Sequence, residues 1–459
     1  MQPFAAPHMA APRPAQEDIM DLLTGNLNRI FPRYLLTALG SAVISSIYTT
    51  VDMICVGHAC GPNGTAAIAL VNPLWSIMIA MGLLFGIGGS IWLATCRGAG
   101  DSRQADGYFT VSVSAAAIAA VALTLLYIFH MERLLRFFGA NDALLPYAMD
   151  YVHYIAFAVP AFLLGTTLTG FIRNDGAPGL CMAATLTGGA VNIVGDIFFV
   201  FDFGLGMGMM GAGLATALGQ AVTFAILCSH FLSRSCGLRL RAVPGMARRL
   251  GRLVTTGFAP AIVDLTFGIT VILFNRRIMQ LAGESELAVF STIANVAILF
   301  QSLFYGVGQA IQPLASANFG AQNLSRVRTL RRMGLATAAC MSAAFFALAQ
   351  AFPGAILSLY MRATSDILAV GIPAMRVYAV SFLFMGGNVV STYYLESVHR
   401  SIPSLSVSLL RGLVLPAVLI TLLPAGLGFG GIWAVMPLTE LLTLWAAALL
   451  LRRSVPRAG

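Results

Sequence analysis

The chain has 459 residues, of which 58% are hydrophobic and only 10% charged, and its mean hydropathy is +0.83. A soluble globular chain does not sustain such values over this length, so the composition excludes soluble enzymes and binding modules and points to a polytopic membrane protein. The net charge of +9 comes entirely from arginine, since there is no lysine; the arginines flank apolar spans, so they read as topology and contact with membrane lipid, with no nucleic acid as partner.

Residues 1–28 hold Pro3, Pro7, Pro12, Pro14, Glu17, Asp18 and Asp21, unlike the basic-then-apolar layout of a cleaved signal peptide, and are expected to form a cytoplasmic tail. Twelve apolar spans follow, near 30–56, 66–95, 107–130, 147–171, 180–201, 211–232, 255–282, 288–316, 333–359, 367–395, 403–424 and 431–451, which makes the fold all-α. With the N-terminus inside, the inner segments hold 20 arginines and the outer loops only Arg133, Arg136 and Arg362, so both termini are expected in the cytoplasm of a bacterial inner membrane. Arg276, Arg277, Arg376 and Arg411 are left at membrane depth. The seven cysteines lie scattered without CxxC or Cys/His spacing, so neither a metal site nor a disulfide framework is indicated.

The halves repeat. Leu134-Leu135-Arg136-Phe137-Phe138-Gly139-Ala140-Asn141-Asp142 returns more loosely as Ile356 to Met361 running on to Asp366, and Tyr154 and Tyr378 each follow 12 residues after the aspartate. Gly86-Ile87-Gly88 and Arg97 to Asp101 are echoed by Gly306-Val307-Gly308 and Phe319 to Asn323. Six spans per half preserve direction, which implies two six-helix bundles, 29–232 and 253–452, related by an axis along the membrane normal. Residues 233–252 read as a basic cytoplasmic linker, or as an amphipathic helix on anionic headgroups, and 453–459 as a second tail.

In the fifth span Asn192 and Asp196 lie one helical turn apart within an apolar segment. A carboxylate near the middle of a bilayer costs about 2.5–3.5 kcal/mol even on insertion-based scales, so it is expected to face the protein interior and to serve a function. The alternative is a polar contact that locks two helices together. The repeat supplies a control: aligning Pro178 with Pro403 sets Thr421 opposite Asp196 and Ala417 opposite Asn192, and aligning Gly57 with Gly283 sets Ile278 opposite Asp52. A residue needed only for packing should tend to appear in both copies, and neither acid does.

Tyr48-Thr49-Thr50-Val51-Asp52-Met53-Ile54-Cys55-Val56-Gly57, Arg173-Asn174-Asp175-Gly176-Ala177-Pro178, Asn192 to Asp196, Gly211-Ala212-Gly213-Leu214-Ala215-Thr216-Ala217, and Gln312-Pro313-Leu314 with Phe319-Gly320-Ala321 stand in an order and spacing that resembles the multidrug and toxic compound extrusion (MATE) family of secondary antiporters. The resemblance implies two bundles that rock between inward-open and outward-open states, expelling cationic or amphipathic small molecules in exchange for protons or sodium, with no other cofactor, and the chain is expected to work as a monomer. In prokaryotic members with acids in the first and fifth helices, that pair binds the coupling ion; the matching positions are Asp52 and Asp196, with Asn192 beside them. Thr166, Thr167 and Thr169 stand in the fourth helix where some relatives place asparagines near the ion, and another branch relies on an acid in the seventh helix, where Asp264 lies without clearly matching. Proton and sodium both stay open as the ion at Asp52 and Asp196.

Two carboxylates close together in low dielectric cannot easily both ionise, so one is expected to exchange a proton, and a bound cation would compete with it. Tyr48 and Asp264 are candidate substrate contacts, and Met78, Met81, Phe85, Phe300, Phe304, Tyr305, Phe382, Phe384 and Met385 could line an adaptable apolar cavity or simply pack. Asp264, Glu396 and Glu440 read as second cation sites or as neutralisers of the membrane-depth arginines, and His153 and His230 as interfacial groups. The same architecture could instead flip a lipid-linked or amphipathic anionic substrate, which would call for a strongly cationic cavity; the four arginines keep that alternative open. No nucleophile with a base, and no metal cluster, suggests an enzyme.

Overall fold

The structure is a computed structural model describing residues 22–241, 245–360 and 365–454, with the side chains of 62, 264, 265, 267, 284, 285, 360, 366, 453 and 454 outside the description. Arg362 and the side chain of Asp264 therefore lie outside the described residues.

α1 (Leu27–Gly61) opens at Asn26, whose side-chain oxygen accepts the Asn28 amide at 2.9 Å. It stops at Gly61, which takes φ +65° next to Pro62, a residue with no amide to continue the ladder. α2 (Asn63–Gly98), α3 (Ser102–Phe137), α4 (Leu145–Asn174), α5 (Pro178–Val200) and α6 (Gly208–Leu232) complete the first bundle. α7 (Met246–Leu281), α8 (Glu286–Gly320), α9 (Leu324–Ala351), α10 (Pro353–Tyr360), α11 (Ile367–Ala379), α12 (Phe382–Ser397), α13 (Ser401–Leu427) and α14 (Gly431–Arg452) form the second. Among the described residues there is no strand. Eleven of the helices are long and apolar enough to cross a membrane, and α11 with α12, bent by 41°, makes the twelfth span.

Two segments differ from expectation. The ninth span begins at Leu324 instead of 333, because Arg326, Arg328, Arg331 and Arg332 extend the helix beyond its apolar part. It also ends at Ala351, since Pro353 cannot donate to the preceding turn and restarts the chain as α10. The last seven residues of the expected linker, from Met246, are helical, with Arg248, Arg249 and Arg252 standing on the first turns of α7.

With no apolar gain between helices in lipid, association depends on close backbone approach, which small residues permit. Gly213 of α6 lies directly against the backbone of Tyr151 in α4, where a Cβ would collide with the carbonyl. A Cβ on Gly219 would come within 3.0 Å of the Asn192 side chain. These two approaches draw α4, α5 and α6 into one seam.

The end where α1 starts and α14 finishes is the arginine-rich end. Among the described residues, hydrogen bonds between the bundles run from that end no further than Ser46 and Ser302, whose hydroxyls are 3.2 Å apart. Trp92 Nε1 donates to Thr256 Oγ1 at 3.0 Å, Gln312 donates to Ser90 Oγ at 3.3 Å, and His399 Nε2 lies 2.8 Å from Thr95 Oγ1. The Trp92 ring packs 4.0 Å from the His399 ring and 5.2 Å from Tyr108, and Arg252 covers its face at 5.4 Å. The bundles thus meet in an aromatic, hydrogen-bonded plug at the arginine-rich end.

Candidate functional site

Asp52 on α1 and Asp196 on α5 are brought together inside the first bundle, close enough that the charge of one acts on the other, with buried Cys55 beside both. Asp52 is 7% exposed; one carboxylate oxygen accepts the Tyr151 hydroxyl at 3.0 Å and the other has no partner. Asp196 is 0% exposed and neither of its oxygens is hydrogen-bonded. Asn192, one turn along, donates to Thr216 Oγ1 at 3.2 Å and leaves its own amide oxygen unpartnered. The Tyr151 hydroxyl also lies within reach of Thr216, so α1, α4, α5 and α6 each contribute one member of a linked set. Tyr48, one turn before Asp52, covers Gly189 of α5 and reaches Gln220 of α6.

A buried carboxylate without donors is costly when ionised, because nothing replaces the water it has lost. Such a group holds its negative charge only beside a cation, and otherwise holds a proton. Three unpartnered acceptor atoms, two on Asp196 and one on Asn192, together with the free oxygen of Asp52, are the chemistry of a small-cation or proton site. The acids are also nearer one membrane face than expected. Asp196 stands four residues before the end of α5 at Val200, in the half of the bundle away from the arginine-rich end.

Thr166 and Thr169 do not join this set. Their hydroxyls donate to Phe162 O and Gly165 O within α4, each at 2.9 Å. At the usual rise of about 1.5 Å per residue, Thr166 stands about 22 Å along α4 from Tyr151, and Thr169 further still. Thr166 instead packs against Gly82 of α2.

The expected apolar lining also changes. Met78 is 1% exposed in the core of the first bundle, and Phe304 is 0% exposed in that of the second. Phe300 stacks on Phe345 at 4.2 Å and meets Phe382 edge-on at 5.0 Å. These side chains are packing, whereas Met385 and Tyr305 line a cavity of about 340 Å³ in the second bundle. Along that cavity Arg411 donates to Glu440 at 2.7 Å and to Gln301 at 2.9 Å, and Asn388 donates to Glu440 at 2.7 Å. Glu440 therefore neutralises a membrane-depth arginine, at a π-helical turn (Leu410–Val414) that offsets Arg411 within α13. Arg276 and Arg376 are exposed.

At the arginine-rich end Asp175 accepts from Arg97 at 2.5 Å and from the Gly237 amide at 2.9 Å, and lies 2.6 Å from His230 Nε2. Cys236 completes a group of donor atoms all within 4.8 Å of one another. No such cluster is visible in the sequence spacing, because Asp175 lies 55 residues before His230. Its carboxylate is already fully engaged, and the cluster clips the start of the linker onto the first bundle.

Tyr151 and Thr216 escaped the sequence reading. Thr216 falls in the Gly211 to Ala217 stretch, which marks it, but nothing local distinguishes Tyr151 from its neighbours Tyr147 and Tyr154.

A family model described as MatE matches residues 38–198 and 261–422. The multidrug export protein MepA of Staphylococcus saprophyticus is 24% identical over 384 residues, 82% of this chain and 83% of its own. MepA of Staphylococcus aureus is 21% identical over 416 residues, 89% of this chain and 90% of its own. Among solved structures, a MOP superfamily transporter from Pyrococcus furiosus, whose binding pocket of reverse polarity suggests a different function for it, has the same fold with TM-score 0.88 at 22% identity, covering 95% of this chain and 97% of that one. An outward-facing multidrug resistance MATE family transporter matches with TM-score 0.87 at 22% identity, covering 94% and 98%.

Proposed function

This chain belongs to the MatE family of multidrug efflux transporters, and we propose that it is a secondary antiporter in which Asp52 and Asp196 carry the coupling ion while cationic or amphipathic organic compounds leave the cell. The observation that carries this reading is Asp196, wholly buried and without a hydrogen bond to either oxygen, beside a second carboxylate. A structural acid would have its oxygens satisfied, as Glu440 does. In the conformation seen, a proton on Asp196 removes the cost of an unbalanced charge. Sodium is the competing ion, with the oxygens of Asp52, Asn192 and Asp196 as ligands.

We place the arginine-rich end in the cytoplasm of a bacterial plasma membrane, following the arginine asymmetry. The plug of Trp92, His399 and Thr95 is then the closed inner side of an outward-facing state. Exchange follows if protonation of the acid pair and binding of substrate stabilise different conformations, since each ligand shifts the equilibrium only by its differential affinity. The flippase alternative has less support, because Arg411, the arginine on the cavity wall, is held by Glu440.

The test is transport of a fluorescent organic cation by the reconstituted chain, driven by a pH gradient or by a sodium gradient alone, in wild type and in Asp52→Asn and Asp196→Asn. We expect both substitutions to abolish exchange without lowering expression. Full-rate exchange by either variant would overturn the assignment.

A further inference from the structure

We propose that Glu396 is the anchor of a second site, in the cavity of the C-terminal bundle, for the charged group of a small aromatic or aliphatic ammonium cation. This rests on the efflux reading above and names a contact for its substrate class. The cavity, about 340 Å³, lies between α7, α8, α12, α13 and α14, with Ile79 and Leu83 of the first bundle on its wall, and its size suits a compound of one or two rings. Two acids line it. Glu440 is engaged on both oxygens by Arg411 and Asn388. Glu396 is 0% exposed, accepts a single hydrogen bond from Ser404 at 2.9 Å through Oε1, and has no partner for Oε2.

The sequence leaves Glu396 either as a second cation site or as a neutraliser of a membrane-depth arginine; the structure weakens the second reading, because Arg411 belongs to Glu440 and the partner of Glu396, Ser404, is uncharged. Buried polar groups in native proteins are satisfied as a rule, and an unsatisfied carboxylate oxygen calls for an occupant. Tyr305, Tyr378 and Tyr393 give the same cavity aromatic walls. A desolvated carboxylate with aromatic faces nearby is the arrangement that recognises organic ammonium groups. The other half of the molecule lacks it: counting back seven residues from Pro403 and from Pro178 reaches Glu396 and Phe171, and Phe171 is wholly buried in apolar packing.

The experiment measures binding of benzyltrimethylammonium, which cannot lose its charge, and of its uncharged tert-alkyl isostere to the full-length chain in detergent. Glu396→Gln is expected to weaken the cation at least tenfold and the isostere less than twofold, with the melting temperature held. Wild-type affinity for the cation in Glu396→Gln, or equal loss of both ligands, overturns the proposal. A second measurement needs no substitution at the site: in the wild-type chain the cation should protect Glu396 from dicyclohexylcarbodiimide, read by peptide mass, and modification unaffected by the cation overturns it. Repeating both in Asp196→Asn separates the two readings, since binding at Glu396 should persist when coupling is lost.

Discussion

The two bundles share a topology and treat their buried acids in opposite ways. In the second, Glu440 sits between an arginine and an asparagine and is neutralised in place. In the first, Asp196 has no donor at all, and its neighbour Asp52 adds negative charge where a structural site would place a positive one. The repeat positions agree: Ile278, opposite Asp52, is wholly buried, and Thr421, opposite Asp196, is exposed with its hydroxyl turned onto Ala417 O at 3.3 Å. A duplicated scaffold can keep one half as framework while the other holds groups that are stable only with an exchangeable ion.

The largest expected effect breaks this contrast from the first side. Asp196→Asn supplies a neutral group of nearly the same shape, and we expect coupled export to fall to background in proteoliposomes while the folded fraction on gel filtration is unchanged or higher. If the acid were structural, the order of results would reverse, with stability lost and residual transport intact.

The second effect comes from the other side. Glu440→Gln leaves Arg411 buried without a counter-charge, and removing one partner of such a pair costs about 3–5 kcal/mol, whereas replacing both with apolar residues is often neutral. Thermal melting in detergent should therefore fall steeply in Glu440→Gln and recover in Arg411→Met with Glu440→Met. Equal melting temperatures for the single and double variants would show that the pair contributes no structure.

A third effect concerns the seam through which the halves act on each other. His399 adopts φ +56° and turns its ring into the plug, where burial, reinforced by Arg252, pushes its pKa from 6.5 down to about 4. The closed seam holds the neutral imidazole, and an opened seam restores the ordinary value, so between pH 6.5 and 4 the open form binds more protons. Closure is then at full strength above pH 6.5 and is lost as pH falls toward 4, by up to about tenfold per pH unit. Spin-label distances between Arg103→Cys and Ser325→Cys, in a background without native cysteines, should lengthen over that range and stay constant in His399→Phe.

The fold was legible because a bilayer imposes long apolar segments on any chain that crosses it, and twelve such segments stand between glycines, prolines and arginines. Half of the site was legible for the same reason, since a carboxylate such as Asp52 or Asp196 stands out against an apolar span. Depth and facing were not. Tyr151 meets Asp52 across 99 residues of sequence, through a contact set by the backbone approach at Gly213. Whether Met78, Phe300 and Phe304 line a cavity or simply pack stayed open in the sequence, because helical spacing cannot tell a face that packs from one that borders an opening. For Glu396 the sequence could not choose between a cation site and an arginine's counter-charge, and only the position of Ser404 beside it shows how little holds it.

The smallest expected effect is at Thr166 and Thr169, and it tests whether resemblance or geometry locates the ion. Family position places them near the coupling acids; the structure turns each hydroxyl back onto its own helix, about 22 Å or more along α4 from the tyrosine that touches Asp52. A hydroxyl bonded to the carbonyl one turn earlier contributes little that a methyl in the same place would not, so Thr166→Val and Thr169→Val should change stability by less than about 0.5 kcal/mol. Export rates and the ion dependence of export should match wild type in both. A change of coupling ion in Thr166→Val would mean that α4 slides by several turns during the cycle, which the close approach of Gly213 to the Tyr151 backbone opposes.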